Sequence, residues 1–524
     1  MRKGMRVPLV GILALVVAAA TFGAAAGRAS AASAGTTVVR HHHTAGVSRH
    51  GSVRRLTPAA HRLVLRAMRQ TTAASSTQFV CLPAAASSNS AAAQSCTITA
   101  PAGVCIEVSS NPSVTQSCTF TQSSATRSNI AVAIQVIDQR DTGQIGSKQQ
   151  TGSQTVTTTQ GNASGSNFNW TTQIVKQFLG HGADQSDSEL SQQQKADAQQ
   201  ELAGTPADLT SLIQGLAPGE LAQENALPAT LPLPTASPVS QQQQSQQTVT
   251  VCQGSTADCH SQAGMTGNNV SGVYQSLRQW EWANNAPSID QQQNSSPGTC
   301  TTSGSATLNM CANVSQTTTG GKNLSGLFEA YRQFQRALHT LAGDQIQDAP
   351  TSFDAGGLGH DVSQTSVVAD PTGPQRNWIV TGQLARQDQN ATDTGALTQS
   401  QDPHVDKGPA STQTGTTHDT WHGLIYATQS QLANGQFASP ADQFQRLTYD
   451  GVSTGDIVAT VTGTENGSTN TEQCTPGDTG DVCHAEVDCA SVVPGAPPLG
   501  GAETLAAPGC TGFAESGPPQ QGGG

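Results

Sequence analysis

The stretch QAGMTGNNVSGVYQSLRQ, residues 262–279, carries amide side chains at fixed places, with offsets of 0, 7, 13 and 17 from its first residue. Three further stretches align with it without a gap, at 122–139, 160–177 and 316–333. All four have Gln at offset 0, Asn at 7 and Gln at 17; three have Gln at 13, where the fourth has Glu329. The aligned amides are Gln122, Asn129, Gln135, Gln139, Gln160, Asn167, Gln173, Gln177, Gln262, Asn269, Gln275, Gln279, Gln316, Asn323 and Gln333.

The pattern continues in weaker copies. A degenerate fifth copy has Asn377, Gln383 and Gln387, and a sixth begins at Gln413 and needs a deletion to align. The Asn residues of the third, fourth and fifth copies are 54 residues apart twice. A constant period of this size indicates a repeat architecture.

The spacing within one copy indicates strands. The steps from the Asn to the two following Gln residues are 6 and 10, both even. Side chains alternate along a strand, so these three amides share one face. Stacked copies then place amide over amide, and each amide has both a donor and an acceptor with which to satisfy its neighbours. A column of Glu would repel itself, whereas a single Glu329 accepts hydrogen bonds from adjacent amides.

The amides are therefore predicted to be structural, in a mainly β fold. We expect a repeat-built β-solenoid or stacked-sheet architecture with a helical, Pro-rich insertion and low-complexity termini. The segment SNIAVAIQVIDQ supports strands, because Ile130, Val132, Ile134 and Val136 alternate with polar residues. QTVTTTQ at 154–160 is rich in the β-branched residues that strands favour.

A helix is the rival interpretation of residues 323–345. Leu324, Leu327, Phe328 and Tyr331 fit helical spacing in NLSGLFEAYRQFQRALHTLAGD, and Gly343 could end such a helix. The sequence leaves helix and strand open for this segment.

The repeat resembles the curlin repeat of secreted bacterial amyloid fibres. That family has Gln, then Asn, then Gln six residues after the Asn, and the segments 129–135 (NIAVAIQ) and 268–275 (NNVSGVYQ) look most like it. The Gln-to-Asn spacing here is two residues longer, and disulfides are expected. The resemblance implies a secreted, self-assembling structural protein.

Composition argues against one large hydrophobic core. Only 35% of the 524 residues are hydrophobic and 11% are charged, against about 45–50% and about 25% in ordinary globular chains. Residues 1–106 contain no acid, whereas residues 107–524 hold all 36 acids and 13 Lys or Arg, a net charge of −23. An acidic body of this kind is a poor partner for nucleic acid.

The domain organisation follows from composition shifts. Basic residues, an apolar run and small residues predict a signal peptide at 1–34, and no later segment could span a membrane. A retained membrane anchor is the alternative to cleavage. The predicted regions are a flexible basic leader at 35–76, a Cys-bearing β repeat region at 77–177, a helical then Pro/Gln-rich insertion at 178–246, an amide-rich repeat region at 247–470, and a Cys-bearing C-terminal segment at 471–524 with a disordered tail.

Twelve cysteines behind a signal peptide predict disulfides in an oxidising compartment. Spacing favours local bridges but does not fix connectivity, and zinc is the alternative, although no Cys-x-x-Cys occurs. The candidates are Cys81, Cys96, Cys105, Cys118, Cys252, Cys259, Cys300, Cys311, Cys474, Cys483, Cys489 and Cys510.

Motifs that carry chemistry are weak. GVSTG at 451–455 matches the Gly-x-Ser-x-Gly elbow around Ser453, but strand-like sequence follows it where an elbow needs a helix. His418 and His422 have metal-ligand spacing for a helix. Acids around the last cysteines, Asp478, Asp481, Glu486 and Asp488, have the oxygen chemistry that Ca²⁺ takes, without the order of an EF-hand loop.

The sequence thus predicts no catalytic residue, no metal site and no cofactor. It favours a secreted or cell-surface structural or adhesive protein that acts by surface contact or self-assembly without turnover, with surface polysaccharide or further copies as partners. An extracellular enzyme or carbohydrate-binding protein on a β scaffold is the alternative. The Trp residues that are candidates for stacking on sugars are Trp170, Trp280, Trp282, Trp378 and Trp421.

Overall fold

The structure is a computed structural model. It describes residues 79–81, 92–124, 128–141, 147–162, 165–181, 239–254, 267–284, 288–293, 300–301, 307–308, 310–319, 321–338, 342–347, 357–366, 377–392, 396–401, 404–406, 412–414, 420–434, 441–452, 456–465, 468–474, 482–493 and 509–517. The predicted signal peptide, the basic leader, residues 182–238 of the insertion and the terminal Gly/Pro tail lie outside these ranges.

All regular structure in these ranges is β. No described helix has the length and apolarity needed to cross a membrane.

The first half of the fold contains strands β1 to β9. They are β1 (Phe79–Cys81), β2 (Ala92–Ile98), β3 (Ala102–Ser109), β4 (Ser113–Ser124), β5 (Asn129–Asp141), β6 (Ser147–Asn162), β7 (Asn167–His181), β8 (Val239–Gly254) and β9 (Asn269–Asn284).

Shorter strands appear between the long ones in the second half. These strands are β10 (Ile289–Gln293), β11 (Cys300–Thr301), β12 (Thr307–Leu308), β13 (Met310–Thr318), β14 (Asn323–Leu338), β15 (Ala342–Gln347), β16 (Gly357–Ser366), β17 (Asn377–Thr392), β18 (Ala396–Gln401), β19 (His404–Asp406), β20 (Thr412–Thr414), β21 (Thr420–Asn434), β22 (Ala441–Val452), β23 (Asp456–Glu465), β24 (Ser468–Cys474), β25 (Val482–Val493) and β26 (Gly509–Gly517).

Two long sheets are built by alternation along the chain. Sheet A has the order β1-β3-β5-β7-β9-β14-β17-β21-β23-β24, and sheet B contains β2, β4, β6, β8 and the strands that follow them. Each coil adds one strand or split strand to sheet B and then one to sheet A, and successive coils pair in parallel. This is the stacked-sheet architecture that the repeat predicted.

The sheet B strand splits from the fifth coil onward. β8 is paired along its first residues with β10 and along its later residues with β13, so two short strands replace one. The same division recurs in β15 and β16 of the next coil, with the register kept on both sides. The chain therefore inserts a loop into a coil without disturbing the stack, because each half-strand is held by its own ladder.

The coil stack ends in antiparallel strands. β23 pairs with β24 in sheet A, and β22 pairs with β25 and β25 with β26 in sheet B, all antiparallel. The C-terminal end thus differs from the repeating parallel coils that precede it.

Register matches the predicted repeat. Asn323 is aligned with Asn269 on one side and with Asn377 on the other, in both cases 54 residues away. The sixth copy also falls into place, since Gln413 is aligned with Gln364. The residues that follow each Asn, from Ile130 to Trp378, form one column.

Two expectations about secondary structure need correction. The rival helix at 323–345 is absent: Asn323–Leu338 is strand β14, and its apolar residues fit helical spacing because both faces of this strand are buried. The insertion is also shorter than 178–246. Residues 178–181 belong to β7 and residues 239–246, including the Gln run, belong to β8.

Candidate functional site

The Asn residues of the repeat form one continuous column between the sheets. The side-chain amide Nδ2 of Asn129 donates to Asn167 Oδ1 at 2.9 Å, and the chain of bonds continues through Asn269 and Asn323 to Asn377 at 2.8–3.0 Å. Every one of these side chains is 0% exposed. Each Asn therefore donates to the coil that follows it.

The Gln residues form parallel columns with the opposite direction. Gln173 Nε2 donates to Gln135 Oε1 at 2.9 Å and Gln275 Nε2 donates to Gln173 Oε1 at the same distance. The column that starts at Gln139 runs in the same way through Gln177, Gln279, Gln333 and Gln387. Each Gln donates to the coil that precedes it.

The second N–H of many amides crosses the space between the sheets. Gln173 Nε2 also donates to the backbone oxygen of Thr248 in sheet B at 3.1 Å, and Gln154 of sheet B donates to Ile174 O of sheet A at 3.2 Å. Asn269 donates to Thr317 O at 2.9 Å. One amide thereby holds neighbouring coils and opposite sheets together, which satisfies buried donors that would otherwise each cost about 1–3 kcal/mol.

The first Gln of the repeat lies on sheet B, where Gln253 occupies a place in its column that the sequence did not predict. Gln122, Gln160 and Gln316 stand in one column, but the coil between them contributes Gln253, whose Nε2 donates to Gln160 Oε1 at 2.8 Å. Gln262 lies outside the described residues. The linear spacing points to Gln262 because the connection after β8 is longer: 16 residues separate Gln253 from Asn269, against 7 between Gln122, Gln160 or Gln316 and the Asn that follows each.

Several further Gln columns were missed by the sequence analysis. One such column contains Gln116, Gln154 and Gln247, with 2.8 Å between each donor Nε2 and its acceptor Oε1. Another contains Gln150, Gln243 and Gln293. The sequence contains the Gln residues of these columns at alternate positions. In the run QQQQSQQ the alternation cannot be recognised until the partner coils are known, because the run resembles a low-complexity segment.

Buried glutamates occupy distinct places in the columns. Glu107 is the first member of the Gln135 column and accepts from Gln135 Nε2 at 2.7 Å, while Glu281 begins another column and accepts from Gln335 at 3.0 Å. Because Gln donates toward the preceding coil, the first place of a column needs only an acceptor, which a carboxylate supplies. Glu329 instead lies inside a column and accepts from Gln383 at 3.0 Å, as the sequence predicted.

The position of Glu329 has a consequence for its neighbour. Gln275 is aligned with Glu329, and Gln275 Oε1 is buried without a hydrogen-bond donor. Glu329 stands where the repeat has a Gln whose side-chain N–H would donate toward Gln275, so the pattern of amide donation is interrupted at this step.

Burial shifts the titration of two of these acids. Loss of solvent raises the pKa of Glu107 to about 7, against the lowering effect of its hydrogen bonds from Gln135 and Ser117. Burial also holds the pKa of Glu281 well above its usual value, with Asp290 adding to the shift and Gln335 opposing it.

The cysteine prediction is confirmed for one pair. Cys105 and Cys118, 13 residues apart, form a disulfide, and Cys96, Cys252, Cys311 and Cys510 are also disulfide-bonded. Cys489 lies opposite Cys510 in the antiparallel pair β25–β26. The ligand atoms of Cys105, Glu107 and Cys118 lie within 4.8 Å of one another, but a disulfide offers no thiolate to zinc.

The outer face of sheet A carries a buried apolar cluster. Val132, Ile134 and Val136, predicted to share a face, point away from sheet B and are buried, as are Tyr274 and Phe328, whose rings stack at 5.6 Å. The Trp170 ring lies over Gly272, where a Cβ would come within 2.6 Å of it. The amide side chains face inward, where they lie beside a second apolar cluster that includes Phe120, Val156 and Val273. Both sides of sheet A therefore bury apolar side chains.

The stacking candidates among the Trp residues are not equivalent. Trp280 is 1% exposed and packs between Phe178 and Phe334, so its ring is unavailable to a sugar. Trp282 packs against the same cluster, and Trp170 and Trp378 are half-buried on sheet A. The side chain of Trp421 lies outside the described residues.

The outer face of sheet B is polar, solvent-accessible and uncharged across its first four coils. Its outward positions on the described strands β2, β4, β6 and β8 carry no Asp, Glu, Lys or Arg. Hydroxyl residues dominate them, and we call this set the hydroxyl face: Ser95, Thr97, Ser113, Thr115, Ser117, Thr119, Thr121, Thr151, Ser153, Thr155, Thr157, Thr159, Thr248 and Thr250.

Register aligns these hydroxyls in straight columns across the coils. Thr97, Thr119, Thr157 and Thr250 form one column, and a second runs from Ser95 to Thr248 two residues earlier on each strand. Thr151 Oγ1 donates to Ser113 Oγ at 2.9 Å at one margin. The columns are continuous because successive coils keep their register.

The weak chemical motifs gain no structural support. Ser453 and His418 lie outside the described residues, and so do Asp478 and Asp481. His422 is in strand β21, so the helical spacing proposed for a metal does not apply there. Glu486 and Asp488 are in β25.

Comparisons with known proteins gave no match. No protein-family model fits the chain, and neither a curated protein nor a solved structure resembles it at a significant level.

Proposed function

We propose that this protein is a secreted structural or adhesive protein that acts by surface contact, without catalytic turnover. The observation that carries the proposal is the hydroxyl face, an uncharged and regular surface on a scaffold braced from inside by amide columns. The amides of those columns are internal, so the contact groups are the outward hydroxyls and amides of sheet B.

A regular, uncharged face of this kind suits an extended solid surface. Small-molecule sites are concave and draw a few polar groups toward one point, whereas the hydroxyl face presents equivalent groups over several strands. Because the face has no charge, we expect its contacts to be insensitive to salt, unlike those of an ion-pairing surface.

Co-sedimentation of the full chain with insoluble cellulose, chitin, bacterial cell walls and finely divided ice tests the proposal. We expect adsorption to at least one of them, unchanged by added salt, and weakened when Thr157 is replaced by Lys. Ser110→Lys is the matched control, since Ser110 is an exposed residue between β3 and β4 that is not part of the hydroxyl face. Absence of adsorption to every solid tested, ice included, contradicts the proposal.

Self-assembly is a second candidate, supported by the N-terminal end of the stack. There β2, seven residues long, is the last described strand of sheet B, and β1 pairs with only three residues of β3 in sheet A. Unpaired strand edges are templates for further strands. A thioflavin time course on the oxidised chain, with and without seeds, tests this candidate; a flat trace from a stable monomer removes it.

A further inference from the structure

The hydroxyl face has a definite two-dimensional geometry. Neighbouring parallel strands are about 4.8 Å apart, and alternate residues on one strand are about 6.6 Å apart. The columns through Thr157 and through Thr155 therefore place hydroxyls on a nearly rectangular grid. Four strands repeat this grid in register.

The chemistry of the grid is uniform. Thr offers a hydroxyl that both donates and accepts, next to a methyl group. Its β-branched side chain is stiff at χ1, so the hydroxyls of one column are held in related positions. The inward residues of the same strands, such as Gln154, are fixed by hydrogen bonds to both neighbouring coils. The grid is thus ordered before any ligand arrives.

From this geometry we infer that the hydroxyl face binds ice. Hexagonal ice presents water oxygens on rectangular grids with two repeat distances of this size, and each oxygen both donates and accepts. Hydroxyls at the grid points would take the places of lattice waters, while the Thr methyl groups fill the spaces between them. The inference rests on the proposed function and names the solid to which the face adsorbs.

Ice fits the face better than a polysaccharide does. Sugar rings are held by flat aromatic side chains and by polar groups set at several angles, and no aromatic residue lies on the outward positions of the described parts of β2, β4, β6 and β8. A charged ligand is also disfavoured, because those positions carry no opposite charge. What remains is a ligand that is itself an uncharged, regular array of hydrogen-bonding oxygens.

Ice recrystallisation and thermal hysteresis assays on the full chain test this inference. We expect the natural chain to slow recrystallisation and to shape growing crystals, and we expect Thr155→Lys/Thr157→Lys to lose that activity. Ser110→Lys should keep it, since it adds positive charge at a residue that is not part of the hydroxyl face. Circular dichroism melting of all three proteins establishes that the fold is retained.

A milder variant separates loss of the hydroxyl group from loss of the fold. Thr157→Val keeps the shape of the side chain and removes only its hydroxyl, so it should weaken the effect on ice without lowering the melting temperature. Adsorption to cellulose, chitin or cell walls without any effect on ice overturns the ice inference and leaves the proposed function standing. Activity on ice that survives Thr155→Lys/Thr157→Lys also overturns it.

Discussion

The two outer faces of the solenoid use the alternation of a strand in opposite ways. On the first four coils of sheet B the outward residues are mostly Thr, Ser and Gln and are partly or fully exposed to solvent, whereas on sheet A many are aliphatic or aromatic and buried. Sheet A also carries an outward column of charged residues, which includes Lys176, Arg278 and Arg332. Both sheets send amides inward. The comparison shows that the amide columns, rather than an apolar core alone, unite the sheets, which leaves each outer face free to differ.

The largest expected effect comes from breaking a column that both faces depend on. Asn269→Asp removes the donor to Asn323 Oδ1 and Thr317 O and places a carboxylate at a site with 0% exposure. We expect a loss of about 3–5 kcal/mol in the free energy of unfolding, because a buried carboxylate without a counter-charge would face two acceptor oxygens and keep only the hydrogen bond from Asn167. Chemical denaturation measures it.

The neighbouring residue supplies the control for that change. Asn268 is exposed, and its Oδ1 accepts from Lys322 N at 2.9 Å, a bond that Asp also accepts. Asn268→Asp should leave stability nearly unchanged. Equal losses in the two variants would contradict the structural role of the column.

The contrast between the outer faces predicts that truncating a side chain to Ala lowers the free energy of unfolding more on sheet A than on sheet B. Phe328→Ala on sheet A removes a fully buried ring that stacks on Tyr274, with an expected loss of about 3–5 kcal/mol. Thr157→Ala on sheet B should change stability by about 0.5 kcal/mol or less, because it is a surface substitution. Thermal unfolding of both variants checks the comparison, and similar costs would refute it.

The free energy of unfolding is expected to depend on pH because of Glu107, which is buried between the sheets. The pKa of Glu107 is raised from 4.5 to about 7 by burial, so the folded state binds a proton that the unfolded state releases between these values. The free energy of unfolding therefore falls as pH rises from 4.5 to 7, by at most about 3 kcal/mol, and stays low above that range.

Comparison with Glu107→Gln isolates this contribution. The substituted side chain does not titrate, so the fall in stability between pH 4.5 and 7 should shrink. Denaturation curves at a series of pH values measure it. An unchanged profile in the variant would show that Glu107 does not carry the effect.

The smallest expected effect is an increase in the free energy of unfolding. Glu329→Gln restores a donor toward Gln275 Oε1 and still accepts from Gln383. We expect stabilisation by about 1–2 kcal/mol, the size of one buried hydrogen bond regained. A higher melting temperature at neutral pH would support it, whereas a lower one would show that the carboxylate is required.

Much of the fold could be predicted from periodicity, and the rest depended on facts that periodicity does not contain. Even steps from Asn129 to Gln135 and Gln139 fixed the shared face, and the 54-residue period fixed which Asn meets which. The direction of that face could not be deduced, because Val132 and Ile134 at the alternate places favour the opposite orientation. A fixed spacing predicts Gln262 for the place that Gln253 occupies, because it takes no account of the longer connection after β8.

The site was less predictable than the fold. The repeat drew attention to residues that turned out to be internal, whereas Thr155 and Thr157 were noticed only as strand formers. Their alignment with Thr248 and Thr250 spans the long insertion between β7 and β8, so no local motif could reveal it.

The uniform direction of donation in the Gln columns makes the stack electrically polar. Side-chain amides that all point their N–H groups toward the preceding coil add their dipoles, as peptide groups do in an α-helix. The positive end lies toward the first coil, and the Asn column opposes this sum. Glu107 stands at that positive end, where the dipoles of the glutamine columns favour a negative charge, but its pKa is raised to about 7. Loss of solvent at this site therefore outweighs the attraction of a macrodipole built from glutamine side chains rather than from backbone.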